Sequence, residues 1–194
     1  MSEPCCIGRV REGRRRWAPL CVLALGLVAY PAADPIAQSA PATPQAANGA
    51  QIPRFVSLKS DRVNLRQGPG TEYPTAWVFR RAGLPVEVIK EFEGWRQVRD
   101  AEGTTGWVSG AMLSGRRTAV ILPWLVRPGQ GEPAVAVLRD DDSDSAKAIA
   151  QVEAGVLASI ISCDGRWCRV SVGGFRGYID QTKLWGAYQG EVIK

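Results

Sequence analysis

Cys163 and Cys168, the acidic run Asp140-Asp141-Asp142 with Asp144, and Arg66 near Tyr73 are the side chains whose type and spacing could do chemistry. The 194 residues include no histidine. Ser-His-Asp and Cys-His catalysis and His-ligated zinc are therefore excluded together. An enzyme would need an Asp/Glu pair or a Ser-Lys arrangement, and no motif offers either. A C-x4-C pair without another soft ligand is a poor metal site, and only Arg166 or Arg169 stands close enough in sequence to activate a thiolate. The two cysteines bracket Asp164-Gly165-Arg166-Trp167, a turn of the kind hairpins favour. Opposed across antiparallel strands, Cys163 and Cys168 are expected to form a structural disulfide. The aspartate run lacks the later glycine and glutamate of a calcium loop and reads as a solvated acidic turn. No metal or other cofactor is implied, and the chain is expected to be a binding module and not an enzyme.

Binding falls to the aromatic residues and Arg66. Tyr73, Trp77, Trp95 and Trp107 stand in one half of the body, and Trp167, Tyr178 and Trp185 in the other. Aromatic rings bring large contact area at low entropic cost. Trp95 and Trp107 begin or sit within strands and either plug a core or meet a ligand, while Tyr73 follows a turn and is a contact candidate. Arg66 either anchors a ligand carboxylate through its planar fork or ties its strand to Glu72. Trp124 is expected to pack a join between two units. Arg80-Arg81 and Arg116-Arg117 read as solvated faces.

These residues must be held by short strands. Apolar Val63 and Leu65 alternate with Asn64 and Arg66, the period of a half-buried strand. Gly68-Pro69-Gly70 then forces a turn, because proline has no N–H and glycine accepts positive φ. The 21 glycines and 13 prolines suit many such turns.

Most of the pattern occurs twice. Ala82-Gly83 and Ala154-Gly155 each precede an apolar strand. Gly94-Trp95-Arg96-Gln97-Val98 matches Gly165-Arg166-Trp167-Cys168-Arg169-Val170. Gly106-Trp107-Val108 matches Gly177-Tyr178-Ile179, and leucine follows each at 113 and 184. The expected strands are 63–66, 76–80, 85–91, 95–99, 105–109 and 118–122 in the first unit. In the second they are 134–139, 148–152, 156–162, 167–172, 175–180 and a short piece at 185–188. Such spacing predicts an all-β chain of two tandem small barrels, whose closure removes most free edges.

Asn64-Leu65-Arg66, Gly68-Pro69-Gly70-Thr71, Leu84-Pro85-Val86, Gly94-Trp95 and Gly103 through Leu113 resemble the bacterial SH3 domain. The resemblance covers 54–122 and resumes from Ala154 in the second unit, where Leu184-Trp185-Gly186-Ala187-Tyr188 is similar to the end of exported tandem SH3-like proteins. The second unit departs at its start, with Asp140-Asp141-Asp142-Ser143 where Gly-Pro-Gly would stand. The resemblance implies two SH3-like barrels, over 54–122 and 123–194. It also implies recognition of cell-wall peptidoglycan or its peptides, or of a periplasmic protein in a scaffolding role.

Five arginines from Arg9 to Arg16 precede an apolar run from Trp17 to Ala29. This is the layout of a secretory signal peptide, too short for a comfortable bilayer span. Residues 1–33 are expected to be that signal, cleaved somewhere within 30–42; an uncleaved signal would be the chain's sole link to a membrane. Residues 34–53, rich in Ala, Pro and Gln, read as a disordered tether. Of the net charge of +5, the signal and tether carry +2, residues 54–118 carry +4 and residues 119–194 carry −1. No basic run outside the N-terminus resembles a nucleic-acid footprint, so nucleic acid is not an expected partner. The protein is expected to be periplasmic or secreted, where a disulfide persists.

Overall fold

The computed structural model describes residues 51–126, 129 and 132–194. The expected signal, and the tether before Gln51, lie outside the described residues. The first sheet comprises β1 (Arg54–Leu58), β2 (Val63–Arg66), β3 (Thr75–Phe79), β4 (Pro85–Phe92), β5 (Trp95–Arg99), β6 (Thr105–Ser109) and β7 (Leu113–Ser114). The second comprises β8 (Thr118–Ile121), β9 (Val135–Arg139), β10 (Ala148–Glu153), β11 (Leu157–Asp164), β12 (Trp167–Val172), β13 (Phe175–Asp180) and β14 (Leu184–Trp185), with β15 (Val192–Ile193) added along β11. The chain is all-β, as its turn spacing predicted.

The strand orders, β3-β2-β6-β5-β4-β1-β7 and β10-β9-β13-β12-β11-β8-β14, are one topology used twice. Each strand of the first sheet corresponds to the strand seven places later. Even the irregularities repeat, with β4 shifting register just after Val88 and β11 just after Ile160. Each sheet curls until its inward residues meet. Val56, Leu58, Val63, Leu65, Phe79, Val86, Val88, Val98 and Val108, drawn from six strands, share one core. Ala119, Ile121, Ala136, Leu138, Ile160, Val170 and Ile179 do the same in the second barrel.

Three expectations change here. The strand expected at 118–122 as the last of the first unit exists as Thr118–Ile121, but it pairs with β11 and β14 of the second sheet. Its true counterpart in the first sheet is β1, which the sequence pattern did not announce. One strand was missed and the other assigned to the wrong sheet for one reason. Arg54–Leu58 and Thr118–Ile121 are buried on two faces, so neither alternates apolar with polar. Ile52, read as part of the tether, is buried in the first core.

The outward faces of these strands join the barrels. Phe55 of β1 packs edge-on against Trp185, at 5.1 Å between ring centroids, and at 4.7 Å against Tyr188. The Thr118 hydroxyl donates to the Gly83 carbonyl at 2.7 Å. Glu87 of β4 is buried and accepts from the Tyr188 hydroxyl at 2.8 Å and from Arg99 Nε at 2.8 Å. Trp124, expected at this join, is instead 52% exposed; Phe55, Trp185 and Tyr188 occupy the join in its place.

Candidate functional site

The loop between β2 and β3 lies between Arg66 and Trp77 and carries Tyr73, all expected contact residues. Its geometry depends on close approach: a Cβ at Gly68 would run into the Tyr73 ring, and one at Gly70 into the Glu72 carboxylate. Arg66 Nη1 donates to the carbonyls of Thr71 (3.0 Å) and Tyr73 (2.6 Å). Arg66 therefore ties its own loop, through backbone oxygens and not through Glu72. In the second barrel, Arg139 Nη1 donates to the Ala146 carbonyl at 2.6 Å. The loop bases match as well, with Gln67 N–H on the Pro74 carbonyl and Asp140 N–H on the Lys147 carbonyl, both at 3.1 Å. The acidic loop thus keeps the closure that Gly-Pro-Gly makes in the first barrel. Asp144, at its end, pairs with Arg166 at the surface. Among the described residues no group of three or more His, Cys, Asp or Glu side chains is placed to hold a metal ion.

The expected contact residues divide among separate places. Trp107 of β6 lies opposite Arg66 on one side and Gln97 on the other. Trp95 pairs with Phe92, and both face outward beside this row. Trp95 and Trp107 are half-buried, so neither plugs the core; Phe92 is 51% exposed. Tyr73, 41% exposed, lies over Gly68. Trp77 goes elsewhere. It is 61% exposed and forms one wall of a cleft between the barrels.

That cleft encloses about 490 Å³. Trp77, Phe79, Leu84 and Pro85 contribute from the first barrel, and Val120, Val126 and Trp185 from the second. Arg80, Arg81, Asp100 and Glu102 place both signs of charge around this apolar floor. Arg81 Nη1 also reaches the Gly155 carbonyl at 3.4 Å, and Arg117 is bound to Glu191, so neither is simply a solvated charge. The indole N–H of Trp185 is buried with no acceptor among the described residues. Pockets with apolar walls and few polar groups are the usual form of a ligand site. Trp77 was legible as a contact candidate; Pro85, Val120 and Val126 were not, because their meeting depends on how two barrels pack.

Cys163 and Cys168 are joined by a disulfide across β11 and β12, with Cα atoms 4.1 Å apart. The turn between them is set by Asp164, whose carboxylate accepts from Arg166 N–H and Trp167 N–H, both at 2.7 Å. The Trp167 and Arg166 amides hold the Asp164 carboxyl below the usual aspartate range. Tyr188 titrates in the opposite direction. Burial, then its hydrogen bond to Glu87, raises its hydroxyl well above the ordinary tyrosine value.

A family model described as bacterial SH3 domain matches residues 59–115 and 132–186. Among solved structures, NlpC2 from Trichomonas vaginalis is similar at 17% identity, covering 70% of this chain and 49% of its own, with a TM-score of 0.30. NlpC1 from the same organism is similar at 18% identity, covering 72% of this chain and 48% of its own, with a TM-score of 0.30. An NlpC/P60 family protein from Bacillus cereus ATCC 10987 is similar at 14% identity, covering 70% of this chain and 57% of its own, with a TM-score of 0.27. The chain thus spans about half the length of the solved structures it matches. No curated protein matches it.

Proposed function

The chain belongs to the bacterial SH3 domain family, and from that premise we propose that it is an exported, non-catalytic module that holds cell-wall peptides in the cleft between its barrels. One observation carries this reading: a tryptophan left 61% exposed at the wall of an apolar cleft that two barrels build together. Trp77 belongs to neither core and stands at the cleft wall, a placement suited to contact with a partner. Mixed charge at Arg80, Arg81, Asp100 and Glu102 suits a peptide that bears both carboxylates and amines. The disulfide supports an oxidising compartment, periplasmic or extracellular. Asp100 is engaged by its own turn, its carboxylate accepting from Glu102 N–H and Thr104 N–H at 3.0 and 2.8 Å, and the second barrel contributes apolar wall, an arrangement suited to binding.

The test is sedimentation with purified peptidoglycan. Wild type is expected in the pellet, and Trp77→Ala is expected to weaken binding roughly 30-fold, the loss of about 2 kcal/mol typical of a hot-spot aromatic. Tyr73→Ala, away from the cleft, is the control and is expected to bind as wild type. Wild type remaining in the supernatant at every salt concentration would overturn wall binding in favour of a periplasmic protein partner.

A further inference from the structure

The two barrels share a fold but end differently at one mouth. In the first barrel Glu91 pairs across the hairpin with Arg96. The equivalent pair in the second is Cys163 with Cys168, as the matching register of Val88 with Val98 and Ile160 with Val170 requires. Arg54 lies opposite Val88, and the Arg117 carbonyl accepts from Ile160, so Arg54 and Arg117 are equivalent too. Gly110 and Gln181 each open a short 3-10 turn and donate to a hairpin carbonyl, that of Gly94 at 2.8 Å and of Arg166 at 2.9 Å.

What fills the second mouth is the chain's own tail. Ala187 is buried and Ile193 packs on the core, while Arg117 binds the Glu191 carboxylate through Nη1 and Nη2 (2.6 and 2.9 Å). The buried Gln181 side chain donates to the Glu191 carbonyl at 2.9 Å and accepts from Gly190 N–H at 3.0 Å. In the first mouth, glycine stands where glutamine would. A cavity of about 450 Å³ remains, lined by Arg54, Arg96, Val56, Val88 and Gly110.

The charges differ in the same sense. Arg117 and Glu191 balance, whereas Arg54 and Arg96 share the single carboxylate Glu91 through its Oε1. Lys59 stands at the rim, bound to the Ala111 carbonyl at 3.1 Å. The Glu91 side chain is only 3% exposed, and its Oε2 accepts nothing among the described residues. Arg54 and Arg96 therefore carry one positive charge more than Glu91 offsets, with Lys59 adding another at the rim, and Glu91 Oε2 is a buried acceptor without a donor among the described residues.

We propose that the mouth of the first barrel is a second binding site, distinct from the cleft, for a carboxylate carried by an extended peptide. The carboxylate would complete the charge of Arg54 and Arg96 as Glu191 does for Arg117. Arg96 Nη1 already donates to the Glu93 and Trp95 carbonyls (2.8 and 2.9 Å) and Arg54 Nη1 to the Gln51 carbonyl (3.4 Å), so the ligand would take the guanidinium N–H groups that remain. The site does not depend on wall peptides entering the cleft.

The probe is a blocked tetrapeptide, acetyl-Gly-Glu-Val-Ile-amide, titrated against the full exported chain while the arginine Nε–Hε NMR signals are followed. Signals of Arg54 and Arg96 are expected to move saturably, and the glutamine version of the peptide to bind about tenfold more weakly. Acetyl-alanyl-alanine with a free carboxylate, against its amide, tells a chain-terminal carboxylate from a side-chain one; response to either acid supports the site. Gly110→Gln, which installs the side chain of the second mouth with its Cβ 3.1 Å from the Gly94 carbonyl and 3.7 Å from Arg96 Cζ, is expected to weaken binding about tenfold or more. Arg96→Lys, keeping charge but not the fork, is expected to weaken the acid peptide selectively. Equal binding of acid and amide forms, an unchanged response in Gly110→Gln, or movement of Arg117 in place of Arg54 and Arg96 would overturn the proposal.

Discussion

Arg66 and Arg139 each reach seven residues ahead to a loop carbonyl, at 2.6 Å in both barrels. Two loops of unrelated sequence, one built on Gly68-Pro69-Gly70 and one on Asp140-Asp141-Asp142, are thus closed by the same donor. We expect Arg66→Met to cost about 1 kcal/mol, since the bonds it removes are solvent-exposed. The amide of Gln67 should exchange faster while the core amides of Val86 and Val98 keep their protection; unchanged exchange at Gln67 would contradict the assignment. Arg66 was legible from the sequence as a residue with a task, but its partner was not. Backbone carbonyls have no sequence signature, and Glu72 merely stood nearby with the right charge. Trp95 and Trp107 were ambiguous for a related reason: in a curled sheet, inward and outward positions alternate, and one residue of misplacement exchanges them.

At the scale of elements, most strands were legible because they bury one face. β2, β6, β12 and β13 alternate in burial, and the Ala-Gly and Gly-Trp landmarks fixed the repeat. β1 and β8 were missed or misassigned because the join between barrels buries their second face, a fact no local pattern carries. The tail is the other element the repeat did not foretell, since β15 has no counterpart in the first barrel. Its hold has a pH signature. Burial raises the Glu191 carboxyl, but the Arg117 hydrogen bonds and the Tyr188 amide more than offset this, leaving it below its ordinary value of 4.5. A carboxylate lowered on folding adds stability above its unfolded pKa and loses it as pH falls through the folded one. Acid below about pH 4.5 should therefore release β15 before the barrels unfold, seen as loss of protection at the Ile193 amide. Glu191→Gln should remove that pH dependence; a tail equally protected in acid would contradict it.

At the scale of the molecule, Glu87 and Tyr188 couple barrels that are complete in themselves. The Tyr188 hydroxyl is raised by burial first and by Glu87 second. A group raised on folding adds stability below its unfolded pKa and loses it as pH climbs toward the folded one. The join should hold up to about pH 10 and weaken above it. Tyr188→Phe should cost about 1–3 kcal/mol and abolish that alkaline weakening, leaving Glu87 still paired with Arg99. Urea unfolding of this variant should separate into two transitions where wild type shows one; a single unshifted transition would show that the barrels are not coupled through this bond. The cleft belongs to this scale as well, and it was invisible in the sequence because its two walls come from different barrels. Its occupancy is the central claim. Soluble stem peptides released from purified peptidoglycan, titrated into the folded chain, should move the indole N–H signals of Trp77 and Trp185 and leave buried Trp167 unmoved. Indole signals that all stay still, or that move at Trp95 and Trp107 alone, would contradict it.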